Sequence, residues 1–203
     1  MKQGILGGTF DPIHIGHLLL AETAREALRL ARVLFVPVGV SPLKQHLQTT
    51  PSHHRQAMVE LAIADNPNFA LSVVDLQRPG PHYSVDTVRL IRGQNNLDAN
   101  DCFFIIGGDS LESLPRWHRA NELVSLCQLA VSHRPGYQPD LSTLEQQLPS
   151  LANRLVWVEM PALDLEASTI RARVAVGQSI RYQVPDSVRA YIEQHQLYRR
   201  SEG

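Results

Sequence analysis

Two histidines three positions apart, His14 and His17, follow a glycine pair and an Asp-Pro step in the stretch Gly7-Gly8-Thr9-Phe10-Asp11-Pro12-Ile13-His14-Ile15-Gly16-His17. Paired glycines let a chain turn tightly and bring its N–H groups close to an anion. The first turn of a helix adds unpaired N–H groups and the positive end of the helix dipole. Imidazoles at that point can donate to phosphate oxygens, so the chemistry indicated is the binding and polarising of phosphate. The Gly-x-Gly-x-x-Gly dinucleotide fingerprint and the Walker pattern are both absent. A metal pair would need a third ligand at a sensible spacing, and none follows, so no metal-ligating residue is assigned. Far down the chain, Ser168 and Arg171 open another helical pattern, where a hydroxyl at an N-cap and a cation three residues on suit phosphate again.

These groups need a scaffold, and the hydrophobic pattern supplies one. Apolar strands are expected at 3–6, 33–36, 70–74, 102–106, 129–132 and 155–159. Between them lie helical patterns at 16–31, 50–65, 84–92 and 120–126, with a weaker one at 142–148 and two more at 168–176 and 185–194. Gly93 reads as the stop of the third helix, and Thr50-Pro51 as an N-cap with proline at the first helical position. Strands separated by helices of this length imply right-handed crossovers. The fold class is therefore α/β: a Rossmann-like, doubly wound, mostly parallel sheet with helices on both faces and a short C-terminal helical addition. Ligands of such sheets sit beyond the carboxyl ends of the strands, where the strand order reverses. Gly7-Gly8 and Gly107-Gly108 both follow strand ends, and that coincidence places the site.

The 203 residues are 43% apolar and 19% charged, with a net charge of −1, which fits a globular chain and gives no electrostatic argument for a nucleic-acid partner. The two cysteines, Cys102 and Cys127, lie in apolar runs and read as buried thiols of a reducing compartment. No apolar segment approaches the ~20 residues of a membrane helix, and Gly7-Gly8 interrupts any signal-like run. A soluble cytoplasmic protein with no membrane partner is expected. Oligomeric state is left open, a homo-oligomer included.

His14-Ile15-Gly16-His17 resembles the His-x-Gly-His signature of a nucleotidyltransferase superfamily. Class I aminoacyl-tRNA synthetases share those four letters, but they are much longer and carry a lysine-rich second signature that is absent here. The longer match, Gly-Gly-Thr-Phe-Asp-Pro-x-His-x-Gly-His, is similar to the bacterial nicotinate-nucleotide adenylyltransferase family, and the resemblance runs along the whole chain. Pro42-Leu43-Lys44 and Arg55 resemble the loop and helix that bring a lysine and an arginine to the substrates, with Leu43 where the family commonly has His. Tyr83-Ser84-Val85 resembles the segment whose amides receive the nicotinate carboxylate. Ile106-Gly107-Gly108-Asp109 resembles the turn at the nucleotide ribose and base. Trp117-His118 stands where a Trp-aromatic pair stacks on the pyridine ring. Arg134-Pro135-Gly136 resembles the turn that holds the mononucleotide phosphate. Ala167-Ser168-Thr169-Ile170-Arg171 resembles Ser-Ser-Thr-x-Ile-Arg, with Ala and Ser for Ser and Thr.

The resemblance implies one nucleotidyltransferase domain over 1–203, with a Rossmann-like core at 1–160 and a helical part at 161–203. It implies adenylyl transfer from ATP to nicotinate mononucleotide, giving nicotinate adenine dinucleotide and pyrophosphate in NAD synthesis. His14, His17, Arg171 and Lys44 are the expected catalytic groups. ATP would meet Gly7, Gly8, Thr9, Phe10, His17, Gly107, Asp109, Ser168, Thr169, Ile170 and Arg171. The mononucleotide would meet Tyr83, Ser84, Val85, Trp117, His118, Arg134, Lys44 and Arg55. Mg²⁺ is expected to be held mainly by the ATP phosphates. Asp11 is expected to fix its loop by accepting N–H bonds, since a phosphate nucleophile is already ionised and needs no base. Arg181-Tyr182 stays open between a ligand contact and a plain link. The alternatives are a sister enzyme acting on nicotinamide mononucleotide, phosphopantetheine or a cytidylyl substrate, and a non-catalytic nucleotide sensor.

Overall fold

A computed structural model describes residues 1–40, 49–133, 139–161 and 163–199. Six strands form one parallel sheet in the order β3-β2-β1-β4-β5-β6. They are β1 (Gln3–Gly8), β2 (Arg32–Pro37), β3 (Phe69–Leu71), β4 (Cys102–Ile106), β5 (Gln128–His133) and β6 (Leu155–Glu159). The helices are α1 (Ile15–Leu28), α2 (Ser52–Ile63), α3 (Ser84–Asn95), α4 (Gly108–Ser113), α5 (Ala120–Leu126), α6 (Leu141–Gln147), α7 (Ala167–Ala175) and α8 (Asp186–Gln194).

Alternation along each strand divides the core in two. In β4, Phe103 and Ile105 face a layer that also holds Leu20, Ala24, Met58, Ile170, Val188 and Ile192. Cys102, Phe104 and Ile106 face the opposite layer, with Val85, Val88, Ile91, Leu123 and Leu144. Such continuous apolar strands need cover on both faces, and the helices of the two layers supply it. The two C-terminal helices join the first layer, over α1 and α2. Gly4 is needed where the sheet meets α1: a Cβ there would come within 2.9 Å of Ile105 and Leu30 side chains.

Chain order reverses between β1 and β4, and these two strands pair only from Gln3↔Cys102 to Ile5↔Phe104. Beyond that register β1 runs on through Gly7 and Gly8, still paired with β2, so that glycine pair ends the strand and does not follow it as expected. β4, by contrast, stops at Ile106 before Gly107-Gly108. The crevice expected from the sequence opens there.

Several element bounds differ from expectation. The first helix stops at Leu28 because Arg29 turns left-handed (φ 54), so residues 29–31 lie outside it. β3 ends at Leu71, and residues beyond it turn, with Leu76 N–H donating to the Val73 carbonyl, so the expected strand to 74 is too long. α2 begins at Ser52 with Pro51 as its N-cap, one residue later than the Thr50 cap expected. α3 runs through Gly93, where a side chain would meet nothing within 4 Å, and stops at the left-handed Asn96. The glycine pair at 107–108 starts the short α4 where only a turn was expected.

Candidate active site

At the carboxyl ends of β1 and β4 lies a cleft of about 900 Å³. Its walls include Gly7, Gly8, Thr9, His14 and His17 from the first loop and helix. Tyr83 and Ser84 come from the start of α3, Gly107 and Asp109 from the second glycine turn, Trp117 and His118 from the stretch before α5, and Ser168 and Arg171 from α7. These thirteen residues singled out in sequence, from five separate segments, thus meet in one place.

The histidine pair is tightly organised. His14 is the N-cap of α1 in extended conformation, and its N–H donates to His17 Nδ1 at 3.2 Å. Because that nitrogen accepts, the His17 ring proton is assigned to Nε2. The two rings lie 3.7 Å apart between centroids, and the Phe10 ring meets His17 edge-on at 5.0 Å. Burial holds the His14 imidazole down at about 4, so at neutral pH it carries no charge. Gly16 between them is a steric requirement: a Cβ there would sit 3.0 Å from His14 Nδ1 and 3.1 Å from its Cε1. Gly8 makes a similar allowance, since its Cβ would come within 2.9 Å of the Phe10 ring.

Phe10 takes a left-handed backbone (φ 49), a strain of roughly 1–3 kcal/mol for a non-glycine residue that its surroundings must hold. They do so through Asp11 and Arg55. Asp11, 4% exposed, accepts from Thr50 N–H at 3.1 Å and from the Tyr198 hydroxyl at 2.8 Å. Its role is therefore loop-fixing, as expected, although its partners lie far away in sequence. The Arg171 guanidinium donates to the Asp11 carbonyl at 2.6 Å, which ties the α7 cation to the first loop.

Arg55, expected at the substrates, is not among the residues that line the cleft. It is 1% exposed, and it donates to the carbonyls of Thr9, Val38, Thr50 and Gly39 at 2.7–3.3 Å. Its charge is consumed in stapling the first loop to the end of β2 and the start of α2. Ile170 is likewise a core residue, and its N–H is taken by the Glu166 carbonyl, so it brings no group to the cleft. The side chains of Phe10 and Val85 are buried, and neither they nor Thr169 line the cleft. Ser168 is not the N-cap. Glu166 holds that position, and the Ser168 hydroxyl donates to the Glu166 carboxylate at 2.8 Å. The first-turn amides of Ala167, Ser168 and Thr169 have no carbonyl partner within the helix. Lys44 and Arg134 lie outside the described residues.

On the opposite wall, α3 begins at Ser84, and the Tyr83 carbonyl takes the amides of Asp86 and Thr87, leaving the N–H groups of Ser84 and Val85 as the first-turn donors. His118 stacks on Tyr83 with centroids 4.1 Å apart. Trp117 is half-buried: its Nε1–H donates to Ser113 Oγ at 3.1 Å and its ring meets Phe104 edge-on. One face of the wall is thus aromatic beside a row of amides, suited to a flat ring bearing an anion.

A buried polar group under Tyr83 went unread in the sequence. Asp75 accepts from Thr87 Oγ1 at 2.9 Å and from Arg78 at 2.9 Å. His82, 5% exposed, accepts from Val40 N–H through Nδ1 and reaches the Arg78 carbonyl through Nε2 at 3.0 Å. Gly39 and Gly80 make room for it, since a Cβ at either would press within 3.0 Å of its ring. The one signal available was the Gly-Pro-His-Tyr run, because a histidine beside two loop glycines has little apolar surface to bury against. Ser132 was also missed; its hydroxyl accepts from Gly108 N–H at 3.3 Å and supports the second glycine turn. Arg181-Tyr182 lies off this cleft, and the next carbonyl, Gln183, caps α1 by accepting from Ile15 N–H at 3.0 Å.

A family profile described as cytidylyltransferase-like matches residues 5–173. A protein of Thermomicrobium roseum named "Probable nicotinate-nucleotide adenylyltransferase" is 49% identical over 202 residues, covering 100% of this chain and 94% of the relative. One of the same name from Roseiflexus sp. (strain RS-1) is 48% identical, covering 97% of each chain. Among solved structures, a Plasmodium falciparum nicotinic acid mononucleotide adenylyltransferase complexed with NaAD superposes with a TM-score of 0.77. It is 18% identical and covered over 98% of both chains, a likeness that shows the shared fold.

Proposed function

The chain belongs to the nicotinate-nucleotide adenylyltransferase family, and from that premise we propose how its cleft carries out adenylyl transfer from ATP to nicotinate mononucleotide. The products are nicotinate adenine dinucleotide and pyrophosphate. The observation that carries the reading is the convergence on one cleft of a histidine pair at the start of α1, Arg171 on α7, and aromatic rings beside the free amides of α3.

The mononucleotide phosphate oxygen forms a bond to the α-phosphorus of ATP as the bond from that phosphorus to the bridging oxygen breaks, and pyrophosphate leaves with the electron pair. Such a transfer asks the protein for alignment and for stabilisation of charge. His17, with its proton on Nε2, donates to the α-phosphate. Neutral His14 packs against it and adds a donor without the repulsion of two imidazolium rings. Arg171 and the first-turn amides of α7 take the charge that gathers on the β- and γ-phosphates. Gly7, Gly8 and Thr9 supply backbone to the same anion, and Gly107 and Asp109 flank the nucleoside. The nicotinate carboxylate is received by the amides of Ser84 and Val85, with its ring beside Trp117 and the stacked Tyr83–His118 pair. Lys44 and Arg134 keep the roles that the family resemblance implies.

Mg²⁺ enters this reading as part of the ATP substrate, held mainly by its phosphates and water. When bound, it neutralises phosphate charge as pyrophosphate departs. Among the described residues no helix is long and apolar enough to cross a membrane. A cytoplasmic setting is part of the proposal, in keeping with two free, buried cysteines.

The test is to incubate the protein with ATP, Mg²⁺ and, in separate reactions, nicotinate mononucleotide, nicotinamide mononucleotide and phosphopantetheine. Pyrophosphate and dinucleotide are expected with nicotinate mononucleotide. Preference for either other acceptor would overturn the substrate, and no pyrophosphate with any acceptor would point to a nucleotide sensor.

A further inference from the structure

We infer that Tyr198, at the far end of the chain, is a positioning residue for the transfer, acting through Asp11 on the phosphate loop and Arg171. The inference rests on the adenylyl-transfer reading for its kinetic consequences.

Asp11 carries the whole connection. One carboxylate oxygen accepts from the Tyr198 hydroxyl at 2.8 Å, the other from Thr50 N–H at 3.1 Å. Its main-chain carbonyl accepts from Arg171 Nη1 at 2.6 Å. A carboxylate 4% exposed has little water to fall back on, so losing one of its two donors among the described residues leaves it less well paired and able to shift. Any shift of Asp11 moves the carbonyl on which the Arg171 fork is registered, and moves the left-handed Phe10 against which His17 rests.

A second observation is independent of the bond. After α8 the chain takes left-handed backbone at two non-glycine residues, Gln196 (φ 51) and Tyr198 itself (φ 64). Strain of that kind persists only where the surroundings over-determine it. Here its effect is to swing the Tyr198 ring back across α2, where the hydroxyl also lies 4.0 Å from Met58 Sδ. Burial first, and then the Asp11 charge, push the phenol well above its ordinary range, so the hydroxyl stays a donor across physiological pH.

Tyr198→Phe deletes one oxygen and keeps the ring. With ATP and nicotinate mononucleotide, kcat is expected to fall about tenfold, as for a small misplacement of catalytic groups, while KM for the mononucleotide stays within about twofold. In an Arg171→Ala background the same change should cost clearly less than it does alone, because part of its effect runs through Arg171. Amide exchange at residues 8–11 should quicken in Tyr198→Phe. Met58→Leu, a packing change beside the hydroxyl, should lower the melting temperature at most and leave kcat alone. Additive losses in the double variant, or wild-type kcat with only a lower melting temperature, would overturn the inference. So would a Tyr198→Phe chain that does not fold. If the wild type makes no pyrophosphate, the reaction assignment fails instead, and the amide exchange alone decides whether Tyr198 holds the loop.

Discussion

His14 makes stability depend on pH in a way that can be isolated. In the unfolded chain an imidazole takes its proton as pH falls through about 6.5. In the folded protein burial delays this to about 4. Between those values the unfolded state binds the extra proton, so stability is complete above the unfolded value and is lost as pH falls from about 6.5 to about 4. The full shift is worth about 3 kcal/mol, of which about 2 kcal/mol is lost between pH 7 and pH 5. Against a typical domain stability of ~5–15 kcal/mol that is a large share. The perturbation is His14→Gln, which cannot titrate. Urea unfolding followed by the fluorescence of Trp117 and Trp157, at pH 7 and pH 5, measures the difference. The wild type should lose about 2 kcal/mol more than the variant over this interval. Parallel losses in both proteins would refute the burial argument. ATP adds a converse effect: phosphate beside the ring favours the charged form, so binding near pH 5 should take up a proton, visible in titration calorimetry as a dependence on buffer ionisation enthalpy.

Other expectations separate scaffold from chemistry. Arg55→Met should lower stability by about 3 kcal/mol or more, since four buried carbonyls lose their donor, while KM for both substrates changes little in the protein that remains folded; a raised KM with an unchanged melting temperature would return Arg55 to the substrate. Gly16→Ala gains up to ~1 kcal/mol of helix propensity, yet its Cβ crowds His14, so kcat should drop about tenfold at nearly constant stability. A wild-type kcat would show that the ring can yield without consequence. Trp117→Ala should raise KM for the mononucleotide by ~1–3 kcal/mol equivalent and leave KM for ATP nearly unchanged. Equal KM values in steady-state assays would make Trp117 a packing residue only.

Local pattern carried the scaffold well where a segment had both faces covered, as in β2 and β4, whose apolar runs have no competing reading. It failed where a neighbour decides the outcome. Gly93 signals a helix stop, but its surroundings are open and α3 passes through it. Gly107-Gly108 signals a turn, but Gly107 serves as an N-cap and Ser132, 24 residues on, holds the Gly108 amide. The same limit explains the site. The glycine loop, the histidines and Arg171 stand out in sequence because phosphate chemistry asks for those types at local spacing, and the fold brings them to one cleft. Arg55 was misread because one arginine can serve a ligand or a set of carbonyls, and only the folded chain shows that Thr9, Val38, Gly39 and Thr50 surround it. Asp75, His82 and Tyr198 left almost no trace, since their partners lie on other segments.

Asp11 and Tyr198 are 187 positions apart, and Arg171 reaches back 160 positions to the same residue. A ribosome delivers Asp11 early and its partners late, at ~5–20 residues per second. During that interval the phosphate loop has emerged but lacks the arginine that closes it and the hydroxyl that holds its carboxylate. On the proposed reading, a nascent chain stalled before residue 171 is expected to show no adenylyl transfer. Competence is then expected as a late event of synthesis, and protein released without residues 171–198 should use ATP less productively than the 203-residue chain.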